Sequence, residues 1–162
     1  IAKEGALARV SDAIDVLHGA GVPQVLVGAL GPRMRRLAVE RAEGVLLNWV
    51  PPTEAAAQAA ALRETVPATH VAVYVRTAIA DAARARLDAE TARYAAFPNY
   101  AANFARMGVD AADTTIRDVT DLGPALEAYT AGVDEVVLRA IVAEDTVEAY
   151  VDFVRRTGPR PL

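Results

Sequence analysis

One alternation constrains this chain more than any other feature. Four short runs are apolar nearly from end to end: residues 24–29 (QVLVGA), 44–49 (GVLLNW), 70–77 (HVAVYVRT) and 134–141 (DEVVLRAI). Continuous apolar character marks strands buried on both faces, as in a parallel sheet. Helical patterns separate the runs. Residues 5–18 carry Leu7, Val10, Ile14 and Leu17 at three-to-four spacing, and Gly19, Gly21 and Pro23 end the pattern. Residues 33–43 place Met34, Leu37, Ala38 and Ala42 on one face.

Further along, Thr53 is expected to cap an alanine-rich helix running to about Glu64, with Glu54 in its first turn. Asp81 is expected to cap a long helix over 82–106, broken or kinked at Pro98. A short helix over 121–129 and a closing helix over 143–156 complete the pattern, and the polar segment 108–123 reads as loop. Strand–helix alternation predicts an α/β fold with a parallel sheet and right-handed crossovers. Two architectures satisfy it, a small doubly wound sheet or part of a (β/α) barrel, and periodicity alone does not choose between them.

Composition narrows the partners. A net charge of −4 with no basic stripe argues against nucleic acid. No apolar run reaches the ~20 residues that cross a bilayer, so no membrane span is expected. The absence of cysteine removes disulfides and thiolate metal sites and fits a cytoplasmic location. Without clustered histidines and carboxylates, no metal site is expected. The 162 residues suit a single domain, with a helical insertion at about 81–133. The chain opens on Ile1 rather than Met, which leads us to expect that it begins inside a longer protein.

In either architecture ligands gather at the carboxyl ends of the strands, and the residues there are distinctive. The first run ends in Gly28-Ala29-Leu30-Gly31-Pro32. Glycines let a backbone approach a ligand, and Pro32 suits a first helical turn whose free N–H groups could hold a phosphate or a polar ring edge, with Arg33 nearby. A plain strand-to-helix turn uses the same residues. GALGPR lacks the third glycine of a dinucleotide fingerprint and the Gly-Lys-Ser/Thr of a P-loop. Asn48 and Trp49 end the second run, where an indole can wall a flat ligand and a carboxamide can both donate and accept; a core Trp and a turn Asn are the alternative. Arg76 and Arg139 end the third and fourth runs, suggesting an anionic substrate or cofactor tail, or else ion pairs with Asp81 or Glu144. His18 and His70 fall at a helix end and a strand start, away from that face, and read as structural. Tyr94, Phe97, Tyr100 and Phe104 recur at helical spacing around Pro98, which reads as core or as the cap of a pocket.

These residues resemble the luciferase-like monooxygenase superfamily, in particular its branch using the deazaflavin coenzyme F420. The likeness rests on Ala29, Gly31, Pro32, Met34, Leu37–Ala38 and Ala42-Glu43-Gly44-Val45, with YVRTAI, AETARYAAFPNYAANFARMG and DEVVLRAI downstream. It implies strands five to eight, the C-terminal half, of a (β/α)8 TIM barrel. It also implies F420, with FMN as the alternative, across the barrel mouth, and hydride transfer between that ring and a small organic substrate. By position, Gly28, Ala29, Leu30, Gly31 and Pro32 would line the cofactor, with Asn48 and Trp49 beside them. The first four strands, with the catalytic side chains, would be missing. Four strands cannot close a barrel and leave edges and an inner face open. The expected consequence is a chain inactive alone, completed by the N-terminal half or by forming a homodimer. A self-associating half-barrel serving as a binding or structural module is a second reading, and a small doubly wound domain binding a phosphorylated ligand a third.

Overall fold

A computed structural model describes residues 3–158, and the side chains of 5–158. After α1 (Lys3–Gly19) come β1 (Leu26–Gly28), α2 (Pro32–Arg41), β2 (Gly44–Asn48), α3 (Pro52–Thr65) and β3 (His70–Thr77). An insertion follows: a 3₁₀ turn at Asp81–Ala83, α4 (Arg84–Ala95), α5 (Pro98–Met107), a second 3₁₀ turn at Ala111–Thr114 and β4 (Thr115–Ile116). The chain then runs through α6 (Val119–Thr130), β5 (Glu135–Ala140) and α7 (Val147–Thr157).

The fold is α/β with an all-parallel sheet of five strands, one more than the apolar runs predict. β3 is its axis. Its residues Ala72–Tyr74 pair with β2 on one edge and β5 on the other, and its end, Arg76 and Thr77, pairs with β4 as well as β5. β4 therefore continues the β2 edge beyond Asn48. It escapes the sequence reading because two residues in a polar segment carry no period; only the ladder offered by β3 makes them a strand.

Alternation along the strands sorts their side chains. Val27, Val45, Leu47, Val71, Val73 and Val75 join one core with Ile14 of α1, Ala38 and Val39 of α2, Ala55, Ala59 and Leu62 of α3, and Leu122 of α6. Helix α7 reaches the same side through Phe153, which clusters with Ile79 and Val142 beside Leu138 and Ala140 of β5. A doubly wound sheet would carry helices on both faces, with a reversal in strand order. Here the principal helices share one face, and β1, β2, β3 and β5 follow in order across the sheet. The opposite face carries Leu46, Asn48, Tyr74, Val137 and Arg139, each partly exposed.

Several boundaries differ from expectation for local reasons. Thr53 does not cap α3; extended Pro51 does, and Pro52 opens the helix at a position where proline's fixed φ fits. Asp81 lies inside the 3₁₀ turn rather than capping a long helix, and the expected break at Pro98 separates α4 from α5. Helices α6 and α7 begin at Val119 and Val147 because the Asp118 and Thr146 side chains accept from the Thr120 and Ala149 amides. Among the described residues no helix is long and apolar enough to cross a membrane.

Two glycines mark close approaches, Gly132 against helix α3 and Gly44 against the neighbouring strand β3. A Cβ on Gly132 would lie 2.4 Å from the Ala56 Cβ, and one on Gly44 would lie 2.5 Å from the His70 carbonyl oxygen. Neither obstacle is a flexible side-chain end, so backbone must move. Gly132→Ala and Gly44→Ala are each expected to cost about 1–3 kcal/mol in urea unfolding, the range for overpacking a filled interior; an unchanged midpoint would contradict this packing.

Candidate active site at the carboxyl ends of the strands

Gly28, Asn48, Arg76 and Arg139 all lie at or next to the carboxyl ends of their strands, on the face opposite the helices. The backbone around Gly28–Pro32 shows what the glycines are for. Gly31 has φ −105°, and neither it nor Gly28 has a positive φ. An added Cβ at either would meet nothing within 4 Å. Neither turn geometry nor internal packing therefore demands glycine at these positions. Both border open space: Gly28 lines a cavity of about 330 Å3 with Ala29, Leu30, Leu46, Asn48, Tyr74 and Tyr100. Gly28 and Gly31 also line a cavity of about 450 Å3 under α1 and α5, with Arg33, Asn99 and Arg106 on its wall.

The turn is held from within. The Ala29 amide donates to the Leu46 carbonyl at 3.0 Å, and Arg35 Nη1 donates to the Leu30 carbonyl at 3.0 Å. Burial, followed by the nearby charge of Arg106, lowers the Arg35 pKa against the opposing effect of Glu54. Of the turn's amides, those of Leu30, Gly31 and Arg33 have no hydrogen-bond partner among the described residues. Ala29 is packed into the core, so little of it is exposed where it borders the smaller cavity.

Asn48 and Trp49 separate in role. Asn48 lines the smaller cavity, and its Oδ1 accepts from Arg76 Nη1 at 2.6 Å, which leaves its NH2 group as a donor. Trp49 sits one layer back, 1% exposed, in a cluster with Phe104 and Ala111. Its φ of 55° is a left-handed conformation that bulky residues rarely adopt, and its buried Nε1 has no hydrogen-bond partner among the described residues. Its ring contacts Tyr94 at 5.0 Å and Phe104 edge-on at 5.9 Å between centroids. Of the aromatic residues around Pro98, Tyr94 and Phe104 pack on Trp49 and Tyr100 lines the cavity, whereas Phe97 is exposed and takes neither expected part. Burial, then the neighbouring Tyr94, raises the Tyr100 pKa.

The arginines pair with neither Asp81 nor Glu144. Their partner is Glu90 of α4, whose Oε1 accepts from Arg76 Nε at 2.8 Å and Oε2 from Arg139 Nη1 at 2.6 Å. Arg76 is buried, its guanidinium carbon 3.8 Å from the centroid of Trp49, 4.9 Å from Tyr94 and 5.4 Å from Tyr74. Sequence reasoning missed Glu90, Tyr74 and Arg106. Two arginines at adjacent strand ends call for a carboxylate between them, but nothing in the sequence singles out Glu90 as the one. His18 and His70 lie at the other end of the sheet, paired with Glu43 at 3.1 Å and Glu135 at 3.2 Å.

Burial pushes the Glu90 carboxyl up, but the hydrogen bonds and charges of Arg76 and Arg139 outweigh it and leave the pKa below the usual glutamate range. The sign follows from linkage. A lowered folded-state value contributes stability that is complete above the ordinary glutamate pKa and is lost as pH falls through the lowered one. Glu90→Gln should therefore flatten the acid limb of stability against pH, read from urea midpoints across the carboxylate range. Glu90→Ala should cost about 3 kcal/mol at neutral pH, because it strands the buried Arg76 charge.

Comparison with known proteins adds identity to this geometry. The family model for luciferase-like monooxygenases matches residues 4–157. Among curated proteins no match was found. Solved structures of similar fold include the coenzyme F420-dependent tetrahydromethanopterin reductase from Methanopyrus kandleri, with 19% identity and a TM-score of 0.53 over 81% of this chain and 48% of that one. A riboflavin lyase solved with modified FMN and riboflavin shares 13% identity, with a TM-score of 0.54 over 85% of this chain and 42% of that one. EDTA monooxygenase from Chelativorans sp. BNC1 shares 14% identity, with a TM-score of 0.55 over 83% of this chain and 43% of that one. The chain therefore spans less than half the length of each of these structures. With nearly its whole length matched by the family model, it belongs to the luciferase-like monooxygenase family.

Proposed function

We propose that this chain is the C-terminal half, strands five to eight, of a (β/α)8 barrel that binds coenzyme F420 at its carboxyl mouth, with FMN as the alternative. The observation that carries the reading is the open space at Gly28 and Gly31, where the chain needs glycine neither for backbone conformation nor for its own packing. A flat heteroaromatic ring fits the smaller cavity. Its volume of about 330 Å3 lies within the usual range of ligand pockets, and its walls combine apolar side chains with one carboxamide and two phenols. The site fits the cofactor on chemistry, and its residues divide the roles.

The backbone of Gly28 and Leu30 would border the ring, and the Asn48 amide would donate to its polar edge. Tyr74 and Tyr100 would wall it and exclude water. The Leu30, Gly31 and Arg33 amides, unpartnered at the start of α2, would hold the cofactor's phosphate, favoured by the helix dipole. Pro32 fixes the first turn that presents them. Trp49 acts from behind, by seating Arg76. When bound, the ring supplies the capacity to exchange a hydride with an organic substrate, while the protein supplies orientation and electrostatics. F420 is preferred to FMN on the Ala29-x-Gly31-Pro32-x-Met34 pattern. Alone, with its inner sheet face open, the chain has no complete substrate pocket and is inactive.

A second reading, the half-barrel that associates with itself, has one observation in its favour. Val147, Tyr150, Val151 and Val154 form a stripe along α7 that faces away from the core and stays exposed. Light scattering after size-exclusion chromatography separates the two: a monomer that becomes a stoichiometric complex on adding the family's N-terminal four-strand segment supports the first, and a stable homodimer indifferent to that segment supports the second.

The cofactor site is tested with Gly28→Val. Valine suits a strand, and a Cβ there meets nothing within 4 Å among the described residues, so the unfolding midpoint should not fall. In the completed barrel, F420 and FMN affinity should drop at least tenfold, about 1.4 kcal/mol. Unchanged affinity for both would sink the assignment of this cavity.

A further inference from the structure

Arg76 and Arg139 are register partners in adjacent parallel strands, so their stems leave the same face side by side. Like charges so placed repel unless something bridges them. Glu90 is that bridge, and bridging occupies both of its oxygens, one for each guanidinium. The two arginines then differ sharply. The Arg76 side chain is 4% exposed, donates from Nε to Glu90 and from Nη1 to Asn48, and lies among three aromatic rings. The Arg139 side chain is 36% exposed, and its single hydrogen bond among the described residues is the one from Nη1 to Glu90. A guanidinium has five N–H donors in a planar fork. Two cations against one carboxylate leave a unit of positive charge at the strand ends, and Arg139 is where it meets open space. At the rim the Asp145 carboxylate, which accepts from the Tyr150 hydroxyl at 2.9 Å, forms no ion pair with Arg139 among the described residues, and its charge is offset by the further cation Arg86, anchored to the Val142 carbonyl.

We propose that Arg139 is the specificity-determining residue of this mouth, that it receives an oxyanionic group (a carboxylate, phosphate or sulfonate) of the bound ligand, and that Glu90 is its positioning residue. This rests on reading the carboxyl strand ends as a ligand mouth. Arg76 is then an internal strut: it spends its charge on Glu90 and the rings and does not touch ligand. The ligand's oxyanion supplies the second negative group that the arginine pair lacks.

The test uses the 162-residue chain labelled with 15N and inorganic phosphate as the probe, with sodium chloride holding ionic strength constant. Arginine Nε–Hε resonances report each guanidinium separately. Arg139 should shift saturably while Arg76 stays still, and Arg139→Gln should abolish the saturable response. Arg139→Lys, which keeps the charge but loses the fork, should retain a weaker one. Glu90→Gln should bring Arg76 into the response, because phosphate then takes the vacated bridging place; a purely structural Glu90 would not produce that change. Circular dichroism identifies variants that fail to fold, and Arg139→Lys preserves the test if Arg139→Gln is among them. A linear, unsaturable shift, or a response centred on Arg76, overturns the proposal.

The source of the oxyanion is then read in the completed barrel. Arg139→Gln weakening FMN at least tenfold without weakening riboflavin assigns it to the cofactor's tail, and equal retention of both assigns it to the substrate. Saturable phosphate binding at Arg139 without binding of F420 or FMN would refute the cofactor reading alone. Cofactor binding without any phosphate response would refute this inference alone.

Discussion

Everything at the strand ends depends on burial being one-sided. The valines and leucine at alternate positions of β2 and β3 are sealed against α1, α2, α3 and α6, and that layer holds the sheet rigid. The intervening positions face the other way, where no helix of that layer reaches. A parallel sheet normally buries both faces, so side chains on the open one must be satisfied by something else. In this chain the insertion meets part of that need: α4 brings Glu90 to the arginines, and α5 brings Tyr100 to the cavity wall.

The Glu90 bridge is costly to assemble and therefore informative. Taking a guanidinium out of water is unfavourable unless its charge and hydrogen bonds are met. Arg76 meets that condition through a carboxylate, a carboxamide and cation–π contact, the last worth about 2 kcal/mol when desolvated. Trp49 accepts a left-handed backbone and an unpartnered indole N–H to lie beneath it. Strain and an orphaned donor at one residue persist only where the surroundings over-determine them. Here the surroundings are Arg76 above the ring, with Tyr94 and Phe104 around it, and so the insertion, β2 and β3 are tied together at one point.

Much of the frame is legible in the sequence. The apolar runs are β1, β2, β3 and β5, each trimmed by no more than a few residues. The proline-directed break at Pro98 and the strand-end placement of Gly28, Asn48, Arg76 and Arg139 follow the same logic, because side-chain periodicity and proline's missing N–H act within a few residues. What escaped reading shares a different cause. β4 exists because β3 extends past Asn48 and offers a free ladder to Thr115 and Ile116. Thr53 lost the cap to Pro51 because the two prolines had already set the entry into the helix. Glu90 looks like any solvated helical glutamate until α4 folds back over the strand ends.

By itself the sequence determined the class of fold, the strand ends at which Gly28, Asn48, Arg76 and Arg139 gather, and a turn whose glycines border open space. Those are consequences of hydrophobic period, chain reversal and the absence of a Cβ, which each residue carries wherever it goes. Only the tertiary structure decided which strand-end groups remain available. It committed Arg76 and Trp49 to one another, left Arg139 and the Asn48 amide facing outward, and set Tyr74 and Tyr100 opposite Gly28. The physical reason is that a charge or a hydrogen-bonding group is defined by its partners. Those partners, Glu90 above all, come from segments far along the chain that only packing brings together.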